Sequence, residues 1–284
     1  MTDTPAIIFT DLDGTLLDHH NYSYQAAQSA LSEVRGMNIP LILTTSKTLA
    51  EVADLSHELE NPHPFIIENG GILCIPPSYF PGPELGYLEQ SEGYLLMPLS
   101  NTYREILDTV NQLRDQYGFQ FSGFNDMTAD EVATQTGLDL SHAALAKRRL
   151  ASEPLLWQDS EAALRLFTNH IETAGLRLTK GGRFLHLMGH FSKALAMTRM
   201  IGLYQTLGSS NPTIIALGDS ENDCEMLQAA DISVVIKRHD GTFMGCKGGD
   251  KTLFTDKPGP AGWNDAVLTI LNHLKPPQER LEHG

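Results

Sequence analysis

Two short apolar runs, each stopping abruptly at carboxylates, constrain this chain of 284 residues more than any other feature. Near the N-terminus, Phe9-Thr10-Asp11-Leu12-Asp13-Gly14-Thr15-Leu16-Leu17 closes a run that begins at Ala6. Far along the chain, Thr213-Ile214-Ile215-Ala216-Leu217 runs into Gly218-Asp219-Ser220-Glu221-Asn222-Asp223. A buried parallel strand reads this way where it emerges into a functional loop. Ligand sites of open α/β sheets lie outside the carboxyl ends of their strands. Side by side, two such acidic ends would hold one hard cation against one phosphate group.

The segments between these ends alternate strand and helix. Apolar runs at 6–10, 41–44 and 65–67 predict strands, with helices around 24–35 and 49–58. This is the βαβ signature of a parallel sheet. Ile75-Pro76-Pro77-Ser78-Tyr79-Phe80-Pro81-Gly82-Pro83 then breaks the pattern and predicts a linker. Beyond it come a strand at 93–97, a helix at 102–117, a strand near 119–122 and helical segments at 129–136 and 141–149. Strand, helix and strand recur at 154–157, 160–173 and 176–179, with a last strand at 183–188. Two β-α-β halves with extra helices predict an α+β module. From Lys193 the parallel pattern resumes through strands at 214–217 and 232–236 and a helix at 224–230. The expected fold class is therefore α/β. Residues 1–81 and 189–284 would form a Rossmann-like parallel-sheet core, and 82–188 an α+β cap domain inserted into it.

A net charge of −15 argues against nucleic acid or an anionic membrane as partner, because both demand a basic face. Lys147-Arg148-Arg149 is the basic run of the sequence and reads first as a solvated helix end and only then as a recruitment patch for nucleic acid. No apolar run approaches the ~20 residues that span a bilayer. Met1-Thr2-Asp3-Thr4-Pro5 has no signal-type character, so a cytoplasmic location is expected. Cys74, Cys224 and Cys246 are scattered and odd in number, which predicts reduced thiols. His186 and His190 have H-x-x-x-H spacing, but they straddle Gly189 at a strand end and predict no zinc site.

Asp11 and Asp13 sit at i and i+2, so on extended backbone both carboxylates leave one face. Gly14 then lets the chain turn sharply. One carboxylate can attack an electrophile while the other moves a proton, the pattern of an aspartyl-phosphate route. A calcium loop counted from Asp11 would need glutamate at its twelfth position, where Tyr22 stands. Asp219 and Asp223 flank the start of a helix, where capping is the plain alternative to metal binding. Mg²⁺ prefers one or two carboxylates plus substrate phosphate, and Asp11 with Asp219 suits it. Thr45, after the strand at 41–44, offers a hydroxyl to a phosphoryl oxygen or simply caps a helix. Lys193 opens a helix, as a point charge for a phosphoryl group or an ordinary surface lysine.

Taken together and in order, these elements resemble the haloacid dehalogenase superfamily of phosphohydrolases. Asp11-Leu12-Asp13-Gly14-Thr15, Thr45, Lys193 and Gly218-Asp219-Ser220-Glu221-Asn222-Asp223 match its four motifs, with the insertion where a type IIB cap occurs. Across nearly the whole chain a narrower resemblance holds to the mannosyl-3-phosphoglycerate phosphatase family. It is carried by Thr45-Ser46-Lys47-Thr48, Glu68-Asn69-Gly70-Gly71, Ser152-Glu153-Pro154, Thr179-Lys180-Gly181-Gly182-Arg183-Phe184 and Gly259-Pro260-Ala261-Gly262-Trp263. Glu221 departs from it, standing where that family often has proline.

The resemblance implies Asp11 as nucleophile and Asp13 as general acid/base. Asp11, the Asp13 carbonyl and Asp219 would ligate Mg²⁺, with Asp223 acting directly or through water. Thr45, Lys193 and Asn222 would neutralise phosphoryl oxygens. Ser46, Lys47, Asn69, Gly70, Glu153, Lys180, Arg183 and His186 would bind the rest of a small anionic phosphosugar. The Lys-Gly-Gly-Arg segment also reads as a β-turn, and Glu153 as a partner of Arg148 or Arg149. The implied enzyme is a monomer or homodimer. A broader sugar phosphatase and a non-catalytic phosphosugar sensor are the competing readings.

Overall fold

The computed structural model describes residues 4–82, 85, 88–180, 184–208 and 211–275. Its first strand, β1 (Ala6–Thr10), is buried over its whole length. Ala6 and Ile8 pack with Trp263 and Val267, while Ile7 and Phe9 pack with Ala196, Met197 and Met200. Both faces of the strand are covered, which is why its sequence is continuously apolar. A 3₁₀ turn at Gln25–Ala27 and α1 (Gln28–Gly36) lead to β2 (Leu41–Leu43) and α2 (Leu49–Glu58). Thr48 and Glu51 start α2 with a reciprocal capping box.

After α2 the pattern turns antiparallel. β3 (Phe65–Ile67) and β4 (Ile72–Ile75) pair through the turn Glu68-Asn69-Gly70-Gly71, followed by β5 (Glu89–Ser91) and β6 (Tyr94–Pro98). β6 pairs with β4, and β3 meets Thr44 through a parallel bridge at Ile66. The strand expected at 93–97 is β6, and it lies in one sheet with the strands at 65–67 and 72–75, in the order β3-β4-β6-β5. The apolar run of β4 was hidden because it abuts the proline-rich segment.

The next elements are α3 (Tyr103–Tyr117), β7 (Phe121–Gly123), α4 (Ala129–Thr136), α5 (Leu140–Ala146), β8 (Ser152–Trp157), α6 (Glu161–Thr173), β9 (Leu176–Lys180) and β10 (Leu185–Gly189). They build an antiparallel sheet in the order β7-β8-β10-β9. Ile106, Val110, Phe167 and Ile171 of α3 and α6 cover Leu155 and Leu187 on one face. Val132 and Ala143 of α4 and α5 pack with Leu156 and Phe184 on the other. The chain returns through α7 (Lys193–Thr206), β11 (Thr213–Gly218), α8 (Cys224–Gln228), β12 (Ile232–Lys237), β13 (Thr252–Pro258) and α9 (Gly259–Leu274). The parallel sheet reads β13-β12-β11-β1-β2.

Two further expectations are corrected. Cys224 and Cys246 form a disulfide, with only Cys74 free and buried; a sequence separation of 22 left no spacing signal for the pair. The run Lys147-Arg148-Arg149 does end α5, with Arg148 exposed, but its last residue leaves solvent. Lys147 donates to the Met127 carbonyl, Arg148 pairs with Glu92 and Arg149 is buried. Among the described residues, no helix is long and apolar enough to cross a membrane.

Candidate active site

β1 and β11 are parallel neighbours with Thr10 opposite Leu217, so both acidic loops leave the sheet at one level. The Asp11 amide donates to the Leu217 carbonyl at 3.0 Å, fixing the start of the first loop. Oxygens of Asp11, Asp219 and Asp223 then lie within 4.8 Å of one another. Lys193, the first residue of α7, is 1% exposed. Its Nζ donates to Asp11 Oδ1 at 2.7 Å and to Asp223 Oδ1 at 2.6 Å. Asp223 Oδ2 accepts the amides of Asp219 and Ser220 at 3.2 and 3.1 Å, which folds the second loop around it. Thr15 Oγ1 donates to Asp219 Oδ1 at 2.9 Å. Gly14, at φ 77°, brings its backbone so near that a Cβ would stand 2.9 Å from Asp219 Oδ2.

One ammonium among three carboxylates leaves the cluster short of positive charge. Burial, reinforced by the Asp223 charge, pushes the Asp11 carboxyl well up. The same two causes push Asp219 up to about 6. Burial opposes the Lys193 charge, but Asp11 and Asp223 outweigh it and hold its pKa above the ordinary value. A cation among these oxygens would relieve the repulsion. The all-oxygen donor set of Asp11, Asp219 and Asp223 suits a hard divalent ion.

Asp13 stands beside the cluster. Its Oδ2 is 3.0 Å from Lys47 Nζ, and its buried Oδ1 has no hydrogen-bond partner. Lys47 also lies 3.7 Å from Glu51 and 4.9 Å from the centroid of the Tyr22 ring. Thr45 is buried, and its Oγ1 accepts the Lys47 amide at 3.2 Å, so its own proton can go to an outside oxygen. Asn222 Nδ2 donates to Asn69 Oδ1 at 2.9 Å, joining the second acidic loop to the β3–β4 turn. Gly70 (φ 99°) packs on the Ser192 carbonyl, and a side chain there would collide with it. Its position supports the backbone of Lys193.

The remaining candidates are dispersed. Ser46 presents its carbonyl to Arg149 Nη2 at 3.2 Å. Glu153 accepts from Tyr103 Oη at 2.6 Å and from the Asn125 amide at 2.8 Å, on the face of the β7-β8-β10-β9 sheet that α3 and α6 cover. It pairs with neither Arg148 nor Arg149, and the structure does not bring it to the carboxylate cluster. His186 faces the other way on β10, opposite Pro154. Its Nδ1 is buried without a partner, and burial, then the Arg149 charge, pushes its pKa down to about 4, so it is neutral near pH 7. Lys180 ends β9. Arg183 lies outside the described residues.

Sequence reasoning missed Thr15, although it stands inside the first acidic run. It also missed Arg238, which donates to the Asp219 carbonyl at 2.9 Å and to both Glu221 oxygens at 3.0 and 2.9 Å. The unusual Glu221 is thereby engaged by Arg238. A lone arginine past a strand end carried no signal.

Residues 8–78 and 166–241, which include both acidic loops, match the family model of the haloacid dehalogenase-like hydrolases. The chain belongs to that family. Hydrolases of this family generally use a divalent metal, and the Asp11, Asp219 and Asp223 cluster could hold one. A glucosyl-3-phosphoglycerate/mannosyl-3-phosphoglycerate phosphatase of Methanococcoides burtonii is 40% identical over 265 residues, covering 93% of this chain and 97% of that protein. A phosphatase of the same name from Persephonella marina is 35% identical over 277 residues, covering 95% and 98%. Among solved structures, a haloalkanoate-superfamily phosphatase from Bacteroides thetaiotaomicron superposes with a TM-score of 0.64 at 16% identity, over 96% of each chain. A subclass IIB sugar phosphatase gives 0.61 at 14% identity, over 94% and 98%. At these identities the two structures speak for the fold of this haloacid dehalogenase-like hydrolase.

Proposed function

We propose that this hydrolase is a Mg²⁺-dependent phosphomonoesterase that cleaves mannosyl-3-phosphoglycerate or glucosyl-3-phosphoglycerate to the glycosylglycerate and phosphate. The observation that carries the chemistry is the buried Asp11 carboxylate, held by Lys193 within a three-carboxylate cluster beside Asp13. The glycoside is suggested by the names of relatives 40% and 35% identical over almost their full length.

Asp11 attacks phosphorus while Asp13 gives a proton to the departing ester oxygen, breaking the P–O bond and leaving an aspartyl-phosphate. Asp13 then takes a proton from water, which attacks phosphorus and breaks the Asp11–phosphate bond. Ester and water become alcohol and phosphate, and both carboxylates are restored. Lys193 and Thr45 place positive charge and a donor where the transferring oxygens gather. Asp11, the Asp13 carbonyl and Asp219, with Asp223, would hold Mg²⁺, which supplies further charge neutralisation when bound. The antiparallel sheet and its helices would act as the cap that selects the leaving group. Ser46, Lys47, Asn69 and Asn222 would reach the substrate from the core, and Lys180, Arg183 and His186 from the cap. The substrate is a small anionic phosphosugar, and the enzyme a cytoplasmic monomer or homodimer.

The test is phosphate release across a panel of phosphate monoesters with Mg²⁺. The two glycosyl-3-phosphoglycerates should exceed simple hexose phosphates in kcat/KM by at least about tenfold. A flat profile would make the chain a broader sugar phosphatase. Binding without any release would make it a sensor.

A further inference from the structure

Glu68 is fully buried in the β3–β4 turn, yet its carboxylate is held by another part of the chain. Oε1 accepts the Leu150 amide at 2.7 Å. Oε2 accepts the Ala151 amide at 3.0 Å and Ser152 Oγ at 2.7 Å, with Arg149 Nε at 3.4 Å. The three donors and the arginine all come from consecutive residues, 149–152, that lead into β8. The grip is reciprocal: Arg149 Nη2 reaches back to the Ser46 carbonyl at 3.2 Å, and within its own segment it holds Ser152 Oγ at 2.7 Å. Thr48 Oγ1 adds a bond to the Leu145 carbonyl at 3.1 Å. A buried charge is tolerated when paired and fully hydrogen-bonded, and removing its partner is strongly destabilising.

The backbone of the same turn looks toward the catalytic loops. The Glu68 amide donates to Lys47 O at 3.0 Å and the Asn69 amide to Thr45 O at 2.8 Å. Asn69 Oδ1 holds Asn222, and Gly70 rests on Ser192. Glu68, Asn69 and Gly70 have φ of 50°, 60° and 99°, three consecutive left-handed residues of which only one is glycine. Such backbone persists where its surroundings over-determine it, and it concentrates at functional positions. The chain crossings meet here as well. The Leu99 amide bonds to Gly71 O at 2.9 Å and the Tyr103 amide to Leu150 O at 3.0 Å. A side chain at Gly189 would collide with Ser100, and one at Gly71 with Ala151.

We propose that Glu68 is the pivot of the cap. It is a positioning residue whose carboxylate fixes how the cap sits, and whose turn ties that placement to the loops bearing Thr45, Lys193 and Asn222. The proposal rests on the phosphatase reading for the substrates of its kinetic test.

Two variants, Glu68→Gln and the milder Ser152→Ala, are assayed as full chains with Mg²⁺ on mannosyl-3-phosphoglycerate and p-nitrophenyl phosphate, beside wild type. Glu68→Gln should lower kcat/KM for the glycoside about tenfold, mainly through KM, the size of one charge-assisted hydrogen bond. Turnover of p-nitrophenyl phosphate should stay within about twofold, since lid placement matters little for so small an ester. Ser152→Ala should move the same ratio in the same direction by a smaller factor, and carries the test if Glu68→Gln does not fold. X-ray scattering of each soluble variant should show a larger radius of gyration than wild type. Equal losses on both esters, or an unchanged ratio with unchanged scattering, would overturn the pivot. If wild type ignores the glycoside, the substrate reading fails instead, and scattering alone decides the pivot.

Discussion

Around Asp11 the charged atoms answer one another across the sheet: Lys193 bridges Asp11 and Asp223, and Thr15 engages Asp219. The antiparallel module is built differently. Of five buried side-chain atoms left without a hydrogen-bond partner among the described residues, four lie in it: Arg114 Nε, His170 Nε2, Arg177 Nε and His186 Nδ1. The fifth is Asp13 Oδ1, beside the carboxylate cluster. A buried polar atom without a partner costs ~1–3 kcal/mol, so each such atom calls for an explanation. The core site is preorganised for charge by the strand ends themselves. The module contributes shape and a few unsatisfied groups, and its buried acid, Glu153, is engaged by Tyr103 and the Asn125 amide. Chemistry and selectivity should therefore respond to substitution separately.

The largest separation is expected from Asp11→Asn, which keeps size and removes the attacking charge. Turnover of every ester should fall by at least about 10³-fold. Burial disfavours the Asp11 charge, so the metal-free variant should melt no lower than wild type. Ready turnover by the folded variant would break the comparison at its centre.

Lys193→Met comes next and has the opposite sign in stability. It should cost about 10²–10³-fold in kcat by removing charge from the transferring group. Left without their shared cation, the buried Asp11 and Asp223 should also lower metal-free stability by ~3–5 kcal/mol, read by urea unfolding. Added Mg²⁺ should recover part of that loss.

The pH dependence is a smaller effect confined to the core. Asp219, up to about 6, and Asp11, also raised, bind protons more tightly folded than unfolded. Metal-free stability is therefore greatest where they are protonated and falls as pH rises from the ordinary carboxylate range through about 6. Mg²⁺ competes for the same oxygens, so its affinity should strengthen over that window. Thermal melts with and without Mg²⁺ across pH 4–8 check both signs; affinity flat with pH would place the metal elsewhere.

Smallest of all should be Tyr103→Phe in the module. Glu153 keeps the Asn125 amide, so the loss should be about 1 kcal/mol of stability with kcat and KM unchanged. A large KM increase for the glycoside would show Glu153 contacting substrate after all.

The core site was legible because its carboxylates sit at the ends of apolar strands, where sequence order and spatial order coincide. Asp11, Asp13, Asp219 and Asp223 could be read that way, whereas Lys193 stayed open between a phosphoryl contact and a surface lysine until the family resemblance singled it out. β13 escaped notice because most of its residues face solvent and carry no apolar pattern. Arg149 was misread because a buried arginine needs a distant acid, and Glu68 is 81 positions away. The Cys224–Cys246 bond was hidden for the same reason: pairing at long range is a property of the fold. The partners of Glu153, Tyr103 and the Asn125 amide, were likewise out of reach of the sequence, because strand register sets which face it takes.

The central claim is that phosphate passes through Asp11. Its most direct test is the stereochemistry at phosphorus, using a substrate made chiral with oxygen isotopes and turned over with Mg²⁺. Two successive in-line displacements, first by Asp11 and then by water, predict net retention of configuration. Inversion would mean that water attacks the ester directly, and would contradict the account.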